Sequence, residues 1–522
     1  MHFLVQIFIM CFTCYLSSFS QTSPNIILIY IDDLGWTDTS VEMIKGDKET
    51  KSDFYLTQNL QRFALEGMVF SDAYASAPVC TPSRYSMLHG MTPAKLLNST
   101  LNTKMAKEEY RGVVTIPQII KKANPNYITA HFGKWHIPML TPYNAGFDIS
   151  DGATGNGEGD YENDMKTPLQ DSNSKRMKSL TNKAKLFISD QVSSNRPFFM
   201  QLSHYAVHIW HDSSLETRNK YRKLPRSAKA LNRDYYSEDE IDESSYKHNW
   251  IINYAAMIDE LDQTIGELMD HLDQIGLKEN TYVFFTSDNG GGMRGNAPLR
   301  GAKADLTEGG IRVPLIVIGP DVKNNSYCNI PVVGWDFLPT FYELTGGDSE
   351  MPSELDGGSL VDILKKGNKG KICRPHDYLV FHFPWYNGEP ESAIRMGNLK
   401  LLKNLDRNEG MLFDLSNDIE EKNDLKNVFP EKYNLLNKNL NQYLDSVGAE
   451  TVNQLRKYFL YDIENSWLNG AKERVRKLEA VLKNKDQKSN KEIVEAKKYV
   501  KWLEEQIVFT KNRIKLNESS NQ

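Results

Sequence analysis

Positive charge is not in excess in this sequence. Its 62 Lys and Arg are outnumbered by 68 Asp and Glu, for a net charge of -6, which argues against a nucleic-acid binder. It does not exclude an anionic substrate, because only a pocket has to be positive. Cysteine is scarce, with five residues in all. Cys11 and Cys14 fall in an N-terminal segment expected to be removed, which leaves Cys80, Cys328 and Cys373. If Cys80 serves chemistry, Cys328 and Cys373 are the one pair that an oxidising compartment could join. Long apolar runs are missing after the first twenty residues, so no later segment reads as a membrane span.

What is present begins with MHFLVQIFIMCFTCYLSSFS, apolar from Phe3 to Leu16 and then small and polar up to Gln21. It reads as a secretory signal cleaved near Ser20, although His2 is its only basic residue. The run is short for a membrane anchor. The residues before Cys11 and Cys14 are too bulky for a lipidation signal. Export, to a periplasm or beyond the cell, is the expectation. The remaining chain is long enough for a large core, and its 40% hydrophobic and 25% charged content is that of a globular protein.

Ile26 to Ile31 is an apolar, β-branched run that stops at Asp32 and Asp33. Tyr282 to Phe285 is a similar run just ahead of Asp288 and Asn289. Both look like buried parallel strands ending at a site. PFFMQLSHYAVH and VPLIVIGP are further strands. Between them, Ile252, Ala255, Met257, Ile258, Leu261, Ile265 and Leu268 mark a helix over 251–275. The alternation predicts an α/β fold with a large mixed, mainly parallel sheet sandwiched by helices. Ligands in such sheets sit beyond the carboxyl ends of the strands, where both acidic pairs fall. The glycine-rich stretch 151–178 is expected to be a surface loop near the mouth of the site.

From residue 376 the pattern changes to strands followed by a helix, a smaller C-terminal α+β subdomain. From 451 Lys, Glu, Asn and Gln dominate. Val475, Leu478 and Leu482, then Ile493, Ala496, Val500, Leu503 and Ile507, step by three and four, which predicts a helical hairpin packed on the body. The expected division is signal 1–20, catalytic domain 21–375, subdomain 376–450 and hairpin 451–522.

Asp32, Asp33, Asp288 and Asn289 offer oxygen ligands only, which suits Ca²⁺, or Mg²⁺, and gives Zn²⁺ neither thiolate nor imidazole. Either pair alone would read as a turn or a helix cap. Their place after two central strands favours the metal. Further along stand CTPSRYSMLHG (80–90), Lys134 and His136 in HFGKWH, His208 in LSHYAVH, and Lys303 in PLRGAKADLTEGGIRVP. Taken singly, such a histidine or lysine is a structural or a solvated residue.

Together and in this order these segments resemble the type I, formylglycine-dependent sulfatases of the alkaline phosphatase superfamily. Asp32–Asp33, Cys80–Arg84, Gly133–His136, His208, Ser287–Gly290, Lys303 and Glu308–Pro314 follow the family's succession. GMLFDLSNDIEEKNDL matches a common family ending, so the resemblance spans about 24–415. His89 replaces a usual threonine, Val207 a common proline, and Ile137–Pro138 a frequent Leu-Gly. None of these removes a reacting group.

The resemblance implies that a maturation enzyme oxidises Cys80 to formylglycine, whose hydrate carries two hydroxyls. One, on a metal held by Asp32, Asp33, Asp288, Asn289 and the modified Cys80, attacks sulfur. Arg84 and Lys134 steady the diol, and Lys303 binds the sulfate. His208 helps to protonate the leaving oxygen. His136 takes the second hydroxyl's proton, so that the aldehyde re-forms and sulfate leaves.

Export, the glycine-rich loop and the lack of an apolar channel favour a sulfated carbohydrate over a steroid sulfate, with a marine algal polymer such as ulvan as one association. His382 and Arg395, in HFPWYNGEPESAIR, are candidate substrate-binding residues, weighed equally against a place in the subdomain core. The rival functions are a phosphonate or phosphate ester hydrolase of the same superfamily and an inactive carbohydrate-binding homologue.

Overall fold

A computed structural model describes residues 23–100, 111–162, 167–168, 171–209, 211–225, 250–292, 296–348, 350–384 and 390–455, together with 501, 504 and 508. The signal segment and the apolar stripe of the hairpin lie outside the described residues.

The fold is built on the strand Asn25–Ile31, whose seven residues are all buried. Apolar on both faces, it can only sit in the middle of a sheet covered on each side. It pairs in parallel with Phe198–Ser203 and with Thr281–Ser287. Ile128–Gly133 and then Ile149–Ser150 extend the sheet in parallel on one side. On the other side Leu315–Ile318 runs antiparallel to both Thr281–Ser287 and Met68–Phe70, and Ser326–Cys328 closes the eight-stranded order. The sheet is therefore mixed and mainly parallel, as expected. One face packs on the helices Cys80–His89, Ile116–Ala123 and Phe337–Leu344. The opposite face packs on Gln58–Glu66, Met177–Ser193 and Trp250–Gln274. The last is the helix that the apolar spacing placed at 251–275.

A separate antiparallel sheet follows, in the order Tyr378–Phe383, Glu391–Met396, Leu399–Asn404 and Glu409–Asp414. Alternation divides its residues between two cores. Val380, Ile394, Leu401 and Leu412 meet Leu436, Leu440 and Tyr443 of the helix Pro430–Val447. Leu379, Phe381, Ala393, Leu402 and Phe413 meet Tyr74, Val79, Leu306, Val333 and Trp335 of the main body. Cys328 is buried, Cys373 is exposed, and neither is in a disulfide. Among the described residues no helix is long and apolar enough to cross a membrane.

Candidate active site

Register brings the acidic residues together. Ile31 lies opposite Ser287 on the parallel neighbour, so Asp32 and Asp288 leave the sheet side by side. The Asp288 amide donates to the Ile31 carbonyl at 3.0 Å. The Asp33 amide donates to Asp288 Oδ1 at 3.2 Å and the Leu34 amide to Ser287 Oγ at 2.9 Å. Asp33 takes a left-handed backbone, φ 64°, which an aspartate tolerates better than most side chains. The turn aims its carboxylate back over the strand ends. One oxygen from each of Asp32, Asp33 and Asp288 lies within 4.8 Å of the others, and all three residues are buried. Asn289 Nδ2 donates to Asp33 Oδ1 at 2.8 Å.

Three cations face these three carboxylates. Lys134 Nζ donates to Asp32 Oδ2 at 2.5 Å. Arg84 Nε donates to Asp288 Oδ2 at 2.8 Å while its Nη1 reaches the Lys134 carbonyl at 2.8 Å. Lys303 Nζ spans both oxygens of Asp33 at 2.6 and 2.8 Å. His208 Nε2 stands 3.9 Å from Asp33 Oδ2. Cys80 is the first residue of the helix Cys80–His89 and is buried. The next residue, Thr81, donates through Oγ1 to the His136 carbonyl at 3.1 Å. His136 takes φ 53° and its amide donates to the Thr154 carbonyl at 2.8 Å. The glycine-rich loop thus packs directly on this histidine.

The charges shape one another. Burial would raise the Asp32 carboxyl, but Lys134, His208 and Arg84 hold it well below the usual range. Burial also works on Asp33, where Lys303 prevails and the value is lowered. Asp288 goes the other way, to about 6, because burial and the neighbouring Asp32 outweigh Arg84. The Cys80 thiol is pushed up by burial against the pull of Lys134 and Lys303. Burial and Lys134 lower His136 to about 2. Burial lowers His208 too, against the opposite pull of Asp32 and Asp33. Both imidazoles are therefore neutral at physiological pH.

The donor set fits a hard divalent cation. Asp32 Oδ1 and Asn289 Oδ1 are buried and accept no hydrogen bond, a costly condition for polar atoms unless a ligand uses them. The Cys80 thiol is not in the set of mutually close ligand atoms. Sulfur is a poor partner for such a cation, so its place in the metal shell depends on oxygens that only the modified residue would carry.

The sequence places Cys80, Arg84, Lys134, His136, His208, Lys303 and the four oxygen donors on separate segments, and the structure assembles them into one neighbourhood. It also adds Tyr30, whose ring lies 5.0 Å from the Arg84 guanidinium and orients it. The signal for Tyr30 was a polar tip inside an otherwise aliphatic strand.

The family model for sulfatases matches residues 24–347, more than half of the chain. The chain belongs to the sulfatase family. As a sulfatase it is a sulfuric ester hydrolase. A second family model, the C-terminal region of N-sulphoglucosamine sulphohydrolase, matches residues 303–450. Among curated relatives, a sulfatase of Formosa agariphila is 28% identical, over 84% of this chain and 89% of its own. An ulvan-active sulfatase of the same organism is 27% identical, over 84% of each. A crystal structure of Ps i-CgsB in complex with k-i-k-neocarrahexaose is similar with a TM-score of 0.64 at 25% identity, over 81% of this chain and 93% of the other.

Within this sulfatase, His382 and Arg395 are not at the catalytic cluster. His382 is buried, with Nδ1 2.7 Å from Ser392 Oγ and Nε2 2.8 Å from the Glu450 carbonyl. Arg395 is buried against Asp72, at 2.6 Å, and the Tyr74 hydroxyl. Their strand pattern put both in the C-terminal sheet, and closure of that sheet on the body covered them. Both side chains are engaged in structural bonds, which favours a place in the subdomain core over substrate binding. His382→Ala is expected to cost about 3 kcal/mol of unfolding free energy, from two lost hydrogen bonds and a cavity, with KM unchanged. Urea denaturation alongside steady-state kinetics checks this, and a raised KM at unchanged stability would reverse the conclusion.

Proposed function

We propose that this sulfatase is exported and hydrolyses sulfate esters of a carbohydrate, using a formylglycine made from Cys80 by a maturation enzyme and a divalent cation, Ca²⁺ or Mg²⁺. The observation that carries the reading is the convergence of three buried carboxylates, three cations and two neutral histidines around the buried start of the Cys80 helix. The N-terminal apolar run supports export. The change of texture at 376 and again at 451 supports the division into catalytic domain, subdomain and tail.

When present, the cation and the hydrated aldehyde supply charge neutralisation and an acidified hydroxyl nucleophile with a second hydroxyl beside it. Asp32, Asp33, Asp288 and Asn289 hold the cation. Their three negative charges are already matched by Arg84, Lys134 and Lys303, so a dication leaves the pocket positive toward sulfate. Lys303 binds the sulfate oxygens, and Arg84 and Lys134 fix the nucleophile. His136, neutral and with its ring Nδ1 buried without a hydrogen-bond partner, accepts the second hydroxyl's proton once the negative charge of the bound sulfate ester raises its proton affinity. His208 donates to the leaving oxygen once the substrate's negative charge beside it raises its proton affinity. Such an acid or base contributes about 10²–10⁴-fold.

The carbohydrate class is supported by the ulvan-active relative and by the neocarrahexaose complex of the similar structure. The test is sulfate release from defined sulfated oligosaccharides, ulvan and carrageenan fragments among them, by protein carrying the modification. Release from at least one sugar, with phosphate esters turned over far more slowly, is the expected result. Faster phosphate turnover would move the protein to the phosphate or phosphonate hydrolases, and sugar binding without release would make it a binding homologue.

A further inference from the structure

The motif GMLFDLSNDIEEKNDL lies in the C-terminal region, away from the catalytic cluster in sequence. Its Glu421 is nevertheless fully buried and takes a left-handed backbone, φ 53°. A glutamate pays for that conformation only where its surroundings hold it.

Glu421 grips both ends of the loop that carries Lys303. At one end its carbonyl accepts from Arg300 Nη1 at 2.8 Å. At the other its Oε2 accepts from the Glu308 amide at 2.7 Å, across 113 positions of sequence. Arg300 and Glu308 bracket Lys303, and the Gly309 amide ties back to the Arg300 carbonyl at 2.8 Å. The loop's middle is fastened to the site itself. The Lys303 amide donates to the Gly291 carbonyl at 3.0 Å, and the Ala304 amide to the Pro78 carbonyl at 2.9 Å, two residues before Cys80.

Charge completes the clamp. Lys400 Nζ lies 2.8 Å from Glu308 Oε1 and 2.9 Å from Glu421 Oε1. Arg312 Nε holds the other Glu308 oxygen at 2.6 Å. Lys400, Glu308 and Glu421 are buried from water, where a broken pair is expensive. The C-terminal sheet, through Lys400, and the turn that follows its last strand, through Glu421, thereby fix the base of a loop whose tip puts an ammonium on Asp33.

We propose that Glu421 is a positioning residue for Lys303, acting through both ends of the 300–308 loop, and that the C-terminal sheet is for this reason part of the active site. The inference rests on the reading of Lys303 as the sulfate-binding cation. A displacement of about 1 Å in such a group can cost about 10²-fold.

The experiment measures kcat, KM and inhibition by inorganic sulfate on a sulfate ester, with melting temperatures, for Glu421→Gln, Arg300→Leu and Lys303→Ala, and for the first two in the Lys303→Ala background. Glu421→Gln keeps the side chain's shape and loses its charge. Arg300→Leu releases one end of the loop from a half-buried position and leaves the ion cluster intact, should the first variant fold poorly. Lys303→Ala should raise both KM and the sulfate inhibition constant. Glu421→Gln should raise both about 10-fold, and Arg300→Leu should move them in the same direction. In the Lys303→Ala background neither should add more than about twofold, because residues acting as a unit are not additive. Full additivity, or lower melting temperatures with unchanged kinetic constants, would make Glu421 a structural brace only. If Lys303→Ala itself leaves KM and sulfate inhibition unchanged, the sulfate-binding reading of Lys303 falls and takes the inference with it.

Discussion

Cys80→Ala is expected to abolish sulfate release, by at least about 10⁴-fold, while the protein melts within a few degrees of the parent. The side chain is buried at the start of a helix whose residues are all buried, so the substitution removes only the sulfur of the unmodified residue, or the oxygen of its aldehyde, from a packed position. That costs about 1 kcal/mol, a small shift for a chain of this size. Asp32, Asp33 and Asp288 are committed to Lys134, Lys303 and Arg84, so none of the three carboxylates is free to replace the nucleophile. The burial of Cys80–Gly90 has a further consequence. An enzyme that reads this segment must act before the chain folds. His89 is then judged on the extended peptide, although in the folded chain its ring lies 2.7 Å from the Val114 carbonyl and edge-on to Tyr85. Mass spectrometry of the peptide around position 80 should show the aldehyde after co-expression with a maturation enzyme. Unmodified cysteine alone, or undiminished turnover by Cys80→Ala, would end the mechanism.

Removal of divalent metal is expected to lower sulfate release by at least about 10²-fold and to lower the melting temperature, with Ca²⁺ restoring both. Ligand at a hundred times its dissociation constant stabilises by about 2.7 kcal/mol. Asp32 Oδ1 and Asn289 Oδ1, buried without hydrogen bonds, are the atoms that gain most. Asp33→Asn removes one charged ligand and should erase the Ca²⁺-dependent rise in melting temperature. Comparing calorimetric scans in chelator, Ca²⁺ and Mg²⁺ decides the matter. Identical scans with intact sulfate release would remove the metal from the reading.

Much of the site was legible in the sequence for physical reasons. An apolar run ending in two acids marks a central strand with its ligands at the carboxyl end, because a parallel sheet buried on both faces leaves polar groups nowhere else to go. The same reasoning placed Asp288, and the order of the remaining motifs supplied Cys80, Arg84, Lys134, His136, His208 and Lys303. His382 and Arg395 were less legible. Their alternation located the strands, but a strand pattern does not say which body will close over it.

Local patterning was therefore enough for the α/β class, the long helix at 250–274, the buried cluster of Asp32, Asp33 and Asp288 and the family. Packing between distant segments settled the rest. It turned Arg395 toward Asp72, placed Tyr30 beneath Arg84, laid the glycine-rich loop on His136 and brought Glu421 to both ends of the Lys303 loop. Apolar periodicity records which face of each element is buried. Which charged side chains then meet depends on how one sheet docks on another, and a buried charge must take whatever partner that docking supplies.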